Sequence, residues 1–169
     1  MDLETVYYIS QTVAVIVIIA TLIALLIQTR QTNSISRAEL TQSQWMDWGN
    51  MLVSFYDTPE KAELLRRGLI EDGDLTGAER DRISIFLAIN VSIAEGAYYL
   101  KTRGMIEPVA YDCNLEMVRF HLTFPRARRW WQKRGRQFYK PPFRDVIDQI
   151  VEEAETQQPA ESGQGVQPG

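Results

Sequence analysis

Two polar side chains interrupt an apolar helical run, and chemistry is sought there first. Asn90 and Glu95 lie within "ISIFLAINVSIAEGAYYL". Burial raises the pKa of a carboxyl group, which can make it a general acid or base. The plainer reading is a buried polar pin, paired with an arginine from another helix and fixing how the helices pack. No partner pattern accompanies the single carboxylate, so the pin is the preferred reading for Asn90 and Glu95.

The second place is "YDCNLEMVRFH". A cysteine nucleophile needs a base beside it to generate thiolate. Cys113 and His121 are eight residues apart, about 12 Å along one helix, and do not meet within it. Cys113 reads as a small buried residue, and His121 as a surface or satisfied core histidine. The chain holds one cysteine and one histidine. An internal disulfide is therefore excluded, and a histidine-based metal site has little to draw on. There is no phosphate-cradling glycine loop and no nucleophile elbow. "EDGD" at 71–74 lacks the remaining ligands of a calcium loop. The sequence therefore points away from an enzyme, and no cofactor or metal is expected.

The third place is "FPRARRWWQKRGRQFYKPPFR", residues 124–144, with eight basic residues, six aromatics and no acid. Arginine and lysine could meet phosphates while aromatics stack on bases. Beside a membrane, the anionic inner leaflet is a better target than nucleic acid, at about 1 kcal/mol per basic residue. The candidate contacts are Arg126, Arg128, Arg129, Lys133, Arg134 and Arg136. The competing reading is a packed helix. Phe124, Trp131 and Phe138 recur every seven residues, which puts them on one face. The basic charge also has acids to balance within the chain. Residues 39–116 hold fourteen acids and seven bases, residues 117–144 nine bases and no acid, and residues 145–161 six acids and no base. A packed aromatic stripe with internal charge pairing is the reading preferred here.

The elements that position these residues are all helical. From Tyr7 to Ile27 there is no charge over 21 residues, about 31 Å of helix and one hydrocarbon core. Val13 to Ile27 contains eleven Val, Ile or Leu residues, contributing about −3 to −7 kcal/mol to insertion. Thr12 and Thr21 can bond back to their own helix. The start "MDLET" is acidic, and "QTRQTNSIS" makes a poor cleavage site, so this is an anchor and not a signal peptide. Arg30 and Arg37 follow the span and no basic residue precedes it, which places the C-terminal side in the cytoplasm.

After the anchor, Ala38, Thr41, Trp45, Trp48, Leu52 and Phe55 form one helical stripe over about Ser34–Tyr56. No Pro or Gly separates this helix from the anchor. Thr58 and Pro59 open a second helix reaching about Leu69. Thr76 and Glu79 form a capping box for the longest helix, about Gly77–Thr102. Its stripe is Ile83, Phe86, Leu87, Ala94, Ala97 and Tyr98, and further apolar residues off that stripe predict burial on more than one side. Gly104 is its stop. A fourth helix fits Pro108–Thr123, Pro125 opens a fifth, and Pro141-Pro142 open a sixth. The end, "TQQPAESGQGVQPG", has nothing to bury. The expectation is an all-α protein: a short external N-terminus (1–6), a transmembrane helix (7–29), a compact cytoplasmic bundle of five to six helices (30–155) and a disordered tail (156–169).

Several short motifs in order carry a resemblance. They are "RAEL", "LLRRGL" after an Asp-x-Pro-Glu turn, "LTGAERDR", "EGAYYL" followed by Gly104, "RRWW" and "FRDVIDQIV". Over residues 10–151 the chain resembles a group of uncharacterised bacterial single-pass membrane proteins with a small helical cytoplasmic domain. The resemblance implies a bacterial origin and the helical bundle. It carries no activity and no site. Members more often have Pro-Gly where this chain has "PRARRWW".

The resulting expectation is a membrane-anchored, non-catalytic helical module for protein interaction or self-association. The alternative is an electrostatic binder of anionic lipid headgroups through the basic stretch, with nucleic acid ranked below both.

Overall fold

The computed structural model describes residues 2–157, the last for its backbone only. Among the described residues there are six α-helices and no strand. The chain divides after Leu40 into two units.

From Leu3 onward the first unit is helix, the leading part of α1 (Leu3–Tyr56). Its apolar side chains are exposed from Leu3 to Ile27, and the helix is long and apolar enough to cross a membrane. Four of its hydroxyls bond back within the helix. Ser10, Thr12, Thr21 and Thr29 each donate to the carbonyl four residues back, at 2.7–2.9 Å. In an apolar surround, this removes the cost of bare polar groups.

The second unit begins at Thr41 with the last turns of α1, which end at Tyr56 before Pro59. Helix α2 (Pro59–Leu65) starts where the sequence signals it, with the Thr58 hydroxyl accepting from the Lys61 amide. It runs into a π-helical turn, Arg66–Ile70. Helix α3 (Gly77–Thr102) has both halves of the Thr76–Glu79 capping box. Gly104 follows in the left-handed region at φ 66°, which a glycine adopts without strain. Helices α4 (Pro108–Leu122) and α5 (Pro125–Lys133) come next, then a 3₁₀ turn (Gly135–Phe138) and α6 (Phe143–Gln157). The expected tail (156–169) starts two residues too early, since Thr156 and Gln157 belong to α6, and the remainder lies outside the described residues.

One core joins these helices. Phe86, Leu87, Val118, Leu122, Trp131, Phe143, Ile147 and Ile150 are its largest fully buried side chains. Helix α3 has the length and composition of a membrane span as well, yet seven of its residues are buried, five of them in this core. The end of α1 lies antiparallel to α3. Phe55 meets the Phe86 ring edge-on at 5.1 Å, and Thr41 Oγ1 accepts from the Glu107 amide just beyond the far end of α3.

Two expectations need correction. The α1 stripe is turned: Met51 is buried, Gln44, Trp48, Leu52 and Phe55 are half-buried, and Trp45 is 46% exposed. Residues 44 and 45 both fit a mixed three–four spacing, and packing on α3 selects 44. Helix α3 is buried beyond its stripe, at Val91 and in part at Ala88 and Ile93, while Ile85 is 54% and Ile89 37% exposed. The stripe through Phe124, Trp131 and Phe138 breaks. Helix α5 ends at Lys133 because the backbone at Gly135 passes over the Trp130 ring, where a Cβ would sit 2.8 Å from ring carbons. Helical spacing therefore no longer applies at Phe138, which is 69% exposed, and Tyr139 takes the inner position.

Candidate functional site

Asn90 is buried on α3, and its partner is not an arginine. Its Oδ1 lies 3.3 Å from Nδ1 of His121 on α4. The His121 ring also meets Phe86 edge-on at 5.1 Å. Burial lowers its pKa from 6.5 to about 4, against a smaller opposing effect of a hydrogen bond to the Met117 backbone. The ring is a neutral core group. The Asn90 Nδ2 is buried without a hydrogen-bond partner.

Glu95 is half-buried, one turn further along α3, and forms no ion pair among the described residues. Burial raises its pKa. Nearby, the Tyr139 hydroxyl donates to the Ala88 carbonyl at 3.0 Å, so the 3.1 Å contact with Ser92 has the serine as donor. Cys113 is half-buried rather than buried, and no group of three His, Cys, Asp or Glu side chains among the described residues is placed to hold a metal.

The basic stretch divides by what each side chain does. Arg128 is buried and donates to the Leu122 and Thr123 carbonyls at 2.9 and 2.6 Å. It thereby caps the end of α4, whose last carbonyls lack helical partners. Arg126 donates through Nε to Asp72 at 3.0 Å and through Nη2 to the Gly73 carbonyl at 2.5 Å. Arg129 Nη2 reaches both Asp72 oxygens, at 2.5 and 2.7 Å. The "EDGD" turn is thus the anchor point of α5. Asp72 has φ 54° there, a conformation Asp tolerates better than most residues. Arg136 Nε lies 3.0 Å from both oxygens of Asp148 on α6, which also accepts from Trp131 Nε1 at 2.9 Å. Lys133 and Arg134 are exposed and form no ion pair among the described residues.

Packing adds to the stretch what spacing in the sequence does not show. Residues of α5 and the first turns of α3 line a cleft of about 630 Å³. It contains Arg126, Arg129, Lys133 and Arg134 together with Arg80 from α3, on a floor that includes Trp130 and Leu87. Arg80 is 46 positions before Arg126, and nothing in the sequence links them. On another side of α3, two hollows follow its seam with α1. One, of about 250 Å³, is lined by Phe55, Leu65, Arg82 and Ile85 among others. The second, of about 400 Å³, includes Gln44, Asp47, Ile89 and Gly96. Gln44 Oε1 is buried with no hydrogen-bond partner.

Comparison with protein-family models, with curated proteins and with solved structures finds no match for this chain.

Proposed function

We propose that this protein is a membrane-anchored, non-catalytic interaction module: one transmembrane helix, N-terminus outside, carrying a helical bundle in the bacterial cytoplasm. The anchor reading rests on the exposed apolar length of α1, and the orientation on Arg30 and Arg37. The bacterial inner membrane rests on the resemblance of the motifs between residues 10 and 151.

One observation carries the interaction reading. Ile85 and Ile89 stand exposed on successive turns of the central helix, each lining a hollow on the α1 seam. Apolar side chains beside a hollow and edged by polar groups suit a docking face. Arg82 at one end and Asp47 at the other form no ion pair among the described residues. An amphipathic segment of a partner protein fits this chemistry. Its apolar residues would cover the isoleucines, and its polar ones would meet the two charges.

The test is a photo-crosslinking residue placed at Ile89 in the full-length chain in cells, with Arg103 as the control position. A discrete product formed at position 89, retained at high salt and lost with Ile85→Asp, is expected. A product at twice the chain's mass would make the partner a second copy. No product, or equal products at both positions, would refute the reading.

A further inference from the structure

We propose that the cleft between α5 and the first turns of α3 binds a ligand carrying two or more phosphate groups. The site lies apart from Ile85 and Ile89 and does not depend on the interaction reading.

The charge of the cleft is lopsided. Arg80, Arg126, Arg129, Lys133 and Arg134 line it against one carboxylate, Asp81. Asp72 already joins Arg126 and Arg129, and the remaining cations of the hollow repel one another unless a further anion joins them. Three of them, Arg80, Lys133 and Arg134, form no ion pair among the described residues. The other two are fixed but not exhausted. Asp72 and the Gly73 carbonyl hold Arg126 through Nε and Nη2, and Asp72 holds Arg129 through Nη2. Each guanidinium has five N–H donors in a rigid fork, so both keep free donors on a plane that Asp72 sets in advance. Pre-set donors lose less freedom on binding.

The floor and rim suit the same ligand. Trp130 and Leu87 make part of the wall apolar, which strengthens charge interactions above it. Gly77, the first residue of α3, also lines the cleft, and the start of a helix favours negative charge. The volume, about 630 Å³, is that of a small-molecule site.

The spread of the cations sets the number of phosphates. Arg126 and Lys133 are seven residues apart on α5, about 10 Å along its axis. Arg80 approaches from the opposing helix. One phosphate reaches part of this array. A run of phosphates, or two joined by a short spacer, reaches from one end to the other. That chemistry occurs in soluble polyphosphates and in the headgroup of cardiolipin.

The experiment uses the full-length chain in phosphatidylcholine nanodiscs and titrates inorganic tripolyphosphate by calorimetry. Binding is expected, tighter than that of orthophosphate and weakened by salt. Arg80→Glu, Lys133→Glu and Arg134→Glu should each weaken it roughly ten-fold or more, with the circular dichroism and melting of the chain unchanged. Arg103→Glu, exposed at the other end of α3, should leave it intact. Nanodiscs containing cardiolipin, compared with phosphatidylglycerol at equal charge, identify the source. Competition from cardiolipin alone, abolished by Arg80→Glu, assigns the headgroup. Competition from neither lipid assigns a soluble polyphosphate, whereas equal competition from both reports general surface charge and overturns the proposal. Failure of tripolyphosphate to bind, or equal weakening by Arg103→Glu, overturns the proposal.

Discussion

Nδ1 of His121 and Oδ1 of Asn90 lie 3.3 Å apart, joining α4 to α3 inside the core. Because burial holds His121 near a pKa of about 4 against 6.5, folding excludes a proton that the unfolded chain accepts. Between those two values the unfolded state binds more protons, so stability rises with pH. The His121 contribution is full above about pH 6.5 and is lost as pH falls toward 4, a span of about 3 kcal/mol. The chain's single histidine gives one imidazole signal to follow by NMR. That signal should titrate well below 6, and His121→Gln should flatten the pH dependence of melting over this window. A titration near 6.5 would contradict the burial.

Asp72 ties the turn before α3 to α5 through Arg129 and Arg126, and these two cations hold its carboxyl below the usual range, Arg129 foremost. The stability that its charge contributes is present above the ordinary carboxylate pKa and fades as pH falls below it. Asp72→Asn keeps a side chain tolerant of the left-handed backbone and loses the charge, so about 1 kcal/mol is expected. Asp72→Ala loses the acceptor and adds backbone strain, about 2 kcal/mol in all. Denaturant unfolding of the two variants separates the contributions. Equal losses would show that the φ of 54° costs alanine nothing extra.

Arg128 separates structural from available charge within the basic stretch. Its guanidinium is buried against the Leu122 and Thr123 carbonyls. Arg128→Ala should cost about 3 kcal/mol, since two helix-end carbonyls lose a charged donor. Arg128→Lys should recover little, because one ammonium does not reproduce the planar fork. Lys133→Glu, on the exposed face, should stay within about 0.5 kcal/mol. A stable Arg128→Ala would mean that water satisfies those carbonyls.

The turn after α5 predicts an inversion of residue size and importance. Gly135→Ala pushes a methyl onto the Trp130 ring and should cost about 1–3 kcal/mol. Trp131→Ala, in the core and bonded to Asp148, should cost about 3–5 kcal/mol. Phe138→Ala, at 69% exposure, should change stability by less than about 0.5 kcal/mol. Thermal melts rank the three, and a large loss at Phe138 would restore the expected stripe.

Local signals in the sequence determined the elements. Thr58-Pro59, the Thr76–Glu79 box, Gly104 and the prolines at 108 and 125 each act within a few residues. A cap or a missing amide works through backbone atoms beside it, so helix starts and stops are written where they occur. The uncharged run from Tyr7 to Ile27 is legible for the same reason, because length and transfer free energy add residue by residue. Tertiary structure decided which face of a helix turns inward and which charges meet. Residues 44 and 45 fit the α1 spacing equally, and contact with α3 chose between them. Phe138 kept its sevenfold spacing while Gly135, closing over Trp130, ended the helix that would have given the spacing meaning. The six candidate cations look alike along the chain. Arg128 became a cap, Arg126 and Arg129 met an aspartate more than fifty residues away, and Arg80 joined the cleft from a different helix. Coulomb and hydrogen-bond energies depend on distance in space, and only packing brings those distances into range.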